Sequence, residues 1–272
     1  LTLIKEACST KFEKEKKILD LISPYKKQID NLKKSELPDE ILSVFLDTLN
    51  LCRKKGTYTF AVLARHGFIA ESLLRSIEDS GSISASRITD FRQSIQTVTT
   101  QLIKDFNDVL INSETYTQFI FKYGHLRPSS YDICSPTYSE RLKLFSSMPN
   151  SNKENKYSKS FQFSSNEIDS IDKLLANYCN NFISSKQLIF YISESIKMRE
   201  KAKFEFTKLL SFSLTLLTRW GELQGFSKDD LSYIDLNEII YLANNSTSND
   251  IFSNFSLRIK DSRDYYNECL NI

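Results

Sequence analysis

Three polar clusters in this 272-residue sequence bring together residue types able to hold anions or move protons. The densest is Tyr123-Gly-His-Leu-Arg-Pro-Ser-Ser-Tyr-Asp-Ile133. There Arg127 could clamp a carboxylate or phosphate through two parallel N–H bonds, and His125 could give or take a proton near neutrality. Asp132 could orient either group or accept from an ammonium, with Tyr123 and Tyr131 as polar neighbours. The competing reading has Arg127 and Asp132 paired only to brace a loop and His125 closing a helix end. The second cluster is Ala64-Arg-His-Gly-Phe68, where Arg65 and His66 interrupt an apolar stripe and Gly67 allows another backbone to come close. An arginine beside such a stripe also serves to cover apolar surface with its stem. In the third, Met198-Arg-Glu-Lys-Ala-Lys-Phe204, Arg199 and Lys203 lie one helical turn apart. Together they could hold an anion, or with Glu200 form ordinary helix ion pairs.

The elements that must carry these clusters are helices. Six glycines and five prolines punctuate the chain, and apolar residues recur at helical rather than alternating spacing, so the expected fold is all-α, with long antiparallel helices. Phe60, Leu63, Ala64, Gly67, Ala70, Leu73, Leu74 and Ile77 form the stripe of a helix over 59–78. A turn at Gly81 leads into one long helix expected over 86–111. A short aromatic helix over 114–123 stops at Gly124, and Pro128 with Pro136 makes 124–138 a loop, where side chains can converge free of helical spacing. Residues 146–160 are dense in Ser, Asn and Lys and are expected to be a flexible loop between two helical halves. Ser164 with Glu167 forms a capping box opening a helix to Cys179, and a very long helix over 184–224 ends at Gly225. Ser227 with Asp230 and Asp235 with Glu238 start two short helices, and a last one spans 250–270.

Composition excludes several classes of function. Lys plus Arg number 36 against 34 Asp plus Glu, so no nucleic-acid footprint stands out, and the lysine-rich stretches 11–17 and 26–34 read as solvated helix faces. The five cysteines, Cys8, Cys52, Cys134, Cys179 and Cys269, are scattered without a C-x-x-C pair, which argues against a disulfide framework or zinc site and fits a reducing cytoplasm. The most apolar stretch, 209–217, is far too short to span a membrane. Phosphate-loop and dinucleotide-binding motifs are absent, and only His66 and His125 are available as histidines. The chain is therefore expected to hold no nucleotide, metal or other cofactor by itself. It opens at Leu1 in an amphipathic segment without a leader pattern, as a piece of a longer protein would.

The three clusters, in this order, resemble the central domain of the glutamine kinase family, relatives of phosphoenolpyruvate synthase and of the rifampicin phosphotransferases. Thr59-Phe-Ala-Val-Leu-Ala-Arg-His-Gly-Phe-Ile-Ala70 with Leu73-Leu-Arg-Ser76 resembles one family helix. Tyr123-Gly-His-Leu-Arg-Pro128, Tyr131-Asp-Ile133, Ser135-Pro136 and Tyr138 resemble the family's most specific loop. Arg199-Glu200, Lys203-Phe204, Phe206-Thr207 and Asp229-Asp-Leu-Ser-Tyr233 resemble two further segments. One departure is Ser129, where the family pattern has glycine; if that position requires positive φ, serine there costs strain.

The resemblance implies a single helical central domain over 1–272 that binds the phosphoryl acceptor. In such proteins a separate ATP-grasp domain uses ATP and Mg2+, and a mobile phosphohistidine domain carries the phosphoryl group to the acceptor. The implied parent reaction converts ATP, L-glutamine and water to L-glutamine phosphoramidate, AMP and phosphate, toward a phosphoramidate decoration of capsular polysaccharide. On this reading the isolated domain is inactive alone. His125 is then the candidate base for the amide nitrogen, oriented by Asp132. Arg127 and Arg65, and after them Arg199 and Lys203, are candidates for the substrate carboxylate or the incoming phosphoryl oxygens, with Tyr123, Tyr131 and His66 lining the site. An acceptor domain for another small molecule, such as an antibiotic hydroxyl, or a non-catalytic helical scaffold are the alternatives.

Overall fold

A computed structural model describes residues 2–7, 12–13, 37–141, 161–180, 182–245 and 251–270. The stretches 146–160 and 26–34, and most of 11–17, lie outside them. All regular structure among the described residues is helical: α1 (Thr2–Glu6), α2 (Pro38–Leu51), α3 (Tyr58–Asp79), α4 (Ala85–Ser94), α5 (Val98–Ile111), α6 (Tyr116–Tyr123), α7 (Ser165–Cys179), α8 (Ser185–Leu223), α9 (Lys228–Ser232), α10 (Leu236–Asn245) and α11 (Ile251–Leu270). A π-helical segment, Cys52–Thr57, joins α2 to α3. No helix among the described residues is long and apolar enough to cross a membrane.

Helix ends follow local chemistry. Ser164 and Ser227 each accept from the backbone N–H three residues on, while Glu167 and Asp230 reach back to the cap, closing two reciprocal boxes. Positive φ at Gly81 (73°) and Gly225 (85°) gives the turns that follow α3 and α8 the left-handed backbone that glycine adopts without penalty. After α8, the Phe226 N–H returns to the Gly221 carbonyl at 2.7 Å, satisfying a carbonyl the helix leaves open.

The long helix expected over 86–111 is instead two, α4 and α5. Ile95 turns extended (ψ 114°) and is buried, and Thr97 caps α5 by accepting from the Thr100 N–H while the Thr100 hydroxyl receives the Thr97 N–H. Threonine at both positions of the box does what serine and glutamate do elsewhere, so the break carries no glycine or proline to announce it.

The chain divides into two compact units. The first draws its described residues from Leu1–Ile22, Lys55–Phe119 and Ser147–Phe206, and so contains α1, α3, α4, α5, α7 and the Ser185–Phe206 part of α8. Here α3 lies against α8: Phe60 stacks on Phe206 with ring centroids 5.9 Å apart and planes 7° from parallel, and a Cβ on Gly67 would come within 2.7 Å of Arg199 Cδ. At the start of α7, Arg87 of α4 binds Glu167 through two parallel bonds (Nε–Oε1 2.8 Å, Nη2–Oε2 2.9 Å), donates to the Gln162 carbonyl, and lies over the Phe161 ring. The Arg87 bond is the largest influence holding the Glu167 carboxyl at about 2, below its ordinary 4.5.

The second unit takes its described residues from Ser23–Lys54, Ile120–Ser146 and Thr207–Ile272. Its core gathers Ile41, Leu42 and Phe45 of α2, Phe212, Leu216, Leu217 and Trp220 of α8, Leu231 of α9, Ile239 of α10, and Phe255 and Ile259 of α11. Burial of each of these large side chains contributes about 1.5–3 kcal/mol. Ile133 enters this core from the loop 124–138, tying an irregular segment to packed helices.

Two outcomes are expected. Gly221 of α8 faces Leu231, and an added Cβ would meet its Cδ1 at 2.6 Å and Cδ2 at 3.0 Å, so Gly221→Ala should lower stability by about 1–3 kcal/mol in chemical denaturation. Glu167 has a lowered folded-state value, so its contribution is present above about pH 4.5 and is lost as pH falls through about 2. The stability gap between wild type and Glu167→Gln should be on the order of 1 kcal/mol at pH 7, after solvent screening, and close as pH approaches 2.

Candidate functional site

Gly124 ends α6: its N–H bonds to the Ile120 carbonyl at 2.8 Å, and a Cβ there would sit 2.4 Å from that same oxygen. From this point the chain turns into a loop closed on itself, with Tyr138 N–H donating to the Leu126 carbonyl (2.8 Å) and Ser139 N–H to the Gly124 carbonyl (3.1 Å). A backbone closed this way can hold side chains in fixed positions without regular secondary structure.

Arg127 is at the centre of the loop and only 8% exposed. Its Nη1 donates to the Ser135 carbonyl at 2.6 Å and reaches the Ile133 carbonyl at 3.5 Å; Nε donates to Ser211 Oγ (3.2 Å) and Nη2 to Thr215 Oγ1 (3.3 Å), both on α8. Burial pulls the guanidinium below its ordinary value, with the charges of Glu140 and Asp132 opposing that shift. This is the bracing role, executed through carbonyls and hydroxyls rather than by a pair with Asp132. Asp132 is exposed, and its Oδ1 accepts from the Cys134 N–H at 2.8 Å, a turn-forming bond two residues on. Tyr131 is 73% exposed on the same turn, whereas Tyr123 is fully buried, with the Lys122 ammonium 4.9 Å from its ring centroid. Ser129 is at negative φ, since Asn180 alone of the described non-glycine residues is positive, so the serine carries no strain there.

Beside this loop is a cavity of about 400 Å³, lined by His125 with Gly124, Ile120 and Phe121 from α6, Thr137, Ser139 and Glu140 from the end of the loop, and Ser211, Phe212 and Thr215 from α8. His125 is among the candidates that the sequence singles out, whereas Glu140 is not. Its Oε2 accepts from the Thr137 N–H (2.7 Å) and hydroxyl (2.9 Å), and its Oε1 from the Lys228 ammonium (2.9 Å). Burial acts to raise the Glu140 carboxyl, and these donors outweigh it, leaving the group at about 2. The signal that could have found it is Thr137-x-x-Glu140, the same pattern as the two boxes on α7 and α9, here closing a turn.

The remaining candidates belong to the first unit. His66 is buried, with Nδ1 3.0 Å from the Tyr191 hydroxyl and its ring edge-on to Phe12. Arg199 lays its stem across Gly67 and its guanidinium 5.1 Å from the centre of the exposed Phe68 ring. Glu200 accepts from the Thr99 N–H at 3.3 Å, at the positive end of α5. Arg65 and Lys203 are exposed. Among the described residues no group of three or more His, Cys, Asp or Glu side chains could hold a metal ion.

No protein-family model, curated protein or solved structure matches the chain. What the geometry offers chemically is one imidazole, one ionised carboxylate and four hydroxyls around a cavity with apolar patches, enough to bind a small polar molecule and to accept a proton from it.

Arg127→Ala would leave two loop carbonyls and two α8 hydroxyls without their donor. It should cost about 2–4 kcal/mol in urea unfolding, and Arg127→Lys less, because the lysine keeps the charge and can still reach part of the set.

Proposed function

We propose that this chain is the acceptor-binding helical part of a phosphotransferase of the phosphohistidine-swivel kind, acting in a reducing cytoplasm, with L-glutamine as the acceptor. The observation that carries the reading is the cavity at His125. It is built by the very loop whose sequence resembles the acceptor domain of that family, and its lining suits a small, hydrogen-bonding molecule. ATP and Mg2+ would belong to a separate domain of the parent protein, as would the phosphohistidine.

An amide nitrogen is a weak nucleophile. In the proposed step it attacks the phosphorus carried by the incoming phosphohistidine; a new N–P bond forms, the P–N bond to the donor imidazole breaks, and the amide proton passes to His125. His125 serves as base rather than Glu140, since a carboxyl held at about 2 has little affinity for a proton. The cavity would hold the acceptor in one orientation and exclude competing water. Arg127 contributes by fixing the wall, not by gripping the substrate, because its donors are committed to the loop and α8.

That commitment also favours a second reading, a helical scaffold in which the polar clusters serve packing alone. Titration calorimetry of the chain with L-glutamine separates the two. The acceptor reading expects saturable one-to-one binding that weakens about 10-fold or more in His125→Ala. Binding of no amino acid, or binding indifferent to His125, favours the scaffold.

A further inference from the structure

The hydroxyl protons along the cavity wall fix which of its groups can donate and which can only accept. The ionised Glu140 carboxylate can only accept, so Thr137 Oγ1 donates to its Oε2 at 2.9 Å. Thr137 has one hydroxyl proton. The 2.8 Å contact between Thr137 Oγ1 and Ser139 Oγ therefore has Ser139 as donor, and the Ser139 oxygen is left as an acceptor. On α8 the count comes out the other way. Thr215 accepts from Arg127 and spends its own proton on the Ser211 carbonyl at 2.9 Å. Ser211 Oγ accepts from Arg127 Nε and keeps its proton, polarised by the buried guanidinium behind it. Glu140 and Ser139 thus present acceptors, and Ser211 presents a donor. No lysine or arginine is among the residues lining the cavity. The Lys228 ammonium reaches Glu140 Oε1 from α9, with the two side chains 36% and 44% exposed.

We propose that the cavity takes a small molecule bearing a primary ammonium, bound by Glu140 and Ser139, with a hydrogen-bond acceptor of the ligand on Ser211, and that Lys228, which reaches the same carboxylate from outside the cavity lining, competes with that ammonium for Glu140. A carboxylate in the lining without a lining lysine or arginine disfavours phosphate and other simple anions. The inference rests on the cavity being a binding site, and it makes Glu140 and Lys228 act in opposite directions on affinity.

Calorimetry with three probes tests it: L-glutamine, 4-aminobutanamide, which keeps the ammonium and amide, and glutaramate, which keeps the carboxylate and amide. Glu140→Gln should weaken the two ammonium probes about 10- to 100-fold, while Lys228→Met should tighten them about 2- to 5-fold by removing an internal competitor. Glutaramate should bind wild type at least about 10-fold more weakly than L-glutamine. Glutaramate binding as well as L-glutamine, or affinities unmoved in both variants, overturns the proposal even where His125→Ala still weakens binding and the acceptor reading stands. If L-glutamine does not bind, 4-aminobutanamide binding that depends on Glu140 upholds the ammonium site while the glutamine reading falls. Silence of both ammonium probes overturns it. Circular dichroism of each variant guards against loss of folding, and the opposite signs expected for Glu140→Gln and Lys228→Met cannot both come from destabilisation.

Discussion

The second unit is organised around one charge taken out of water. A guanidinium stripped of solvent is tolerated only when its N–H groups find acceptors, and Arg127 finds them in two places at once: carbonyls of its own loop and hydroxyls of α8. That double demand fixes the loop against the helix. It brings the Ile133 carbonyl inward and with it the Ile133 side chain, which joins the core formed by α2, α8 and the helices that follow. The same bonds position Ser211 and Thr215, so the wall of the cavity and the packing of the loop have a common cause. A lysine in place of Arg127, with a single ammonium, lacks the forked donors needed to span four acceptors.

In the first unit, polar residues in an apolar interface fix how helices meet. Gly67 removes a side chain where Arg199 must cross, and the arginine then caps the exposed Phe68 ring. Next to Gly67, the buried His66 meets the Tyr191 hydroxyl of α8. A hydrogen bond of this kind, among large apolar side chains, penalises any slip in register that would separate its partners. The Arg87–Glu167 fork does the same for α4 and the start of α7, with the added benefit that Glu167 also closes its own helix cap.

The cavity beside His125 gains its character from the direction of hydrogen bonds more than from the number of polar groups. Arg127 forces two α8 hydroxyls to accept, and Glu140 forces Thr137 to donate. Each hydroxyl then has a fixed remaining capacity, and the lining acquires an accepting side and a donating group without any cation in contact with the space. A lining of this polarity is complementary to a molecule whose own groups differ in sign.

Much of the helical framework was legible in the sequence because its signals are local. A serine three residues ahead of a glutamate, a glycine after an apolar run, and a stripe at helical spacing act through neighbours within one turn, and the starts at Ser164 and Ser227 and the stop at Gly225 follow from them. The break at Ile95 was hidden because Thr97 and Thr100 cap a helix without the residues that usually advertise one, while the inward pull on Ile95 comes from packing. Of the cavity's lining, the loop and His125 could be read. The use of Arg127 could not, because Ser211 and Thr215 are 84 and 88 residues further along the chain. Nor could the role of Glu140, whose ammonium partner is 88 residues away at Lys228. Sequence determined which segments are helical and where charge is available; tertiary structure decided which charge is spent on holding the loop and which is left facing the cavity, since that depends on what folding brings within about 3 Å.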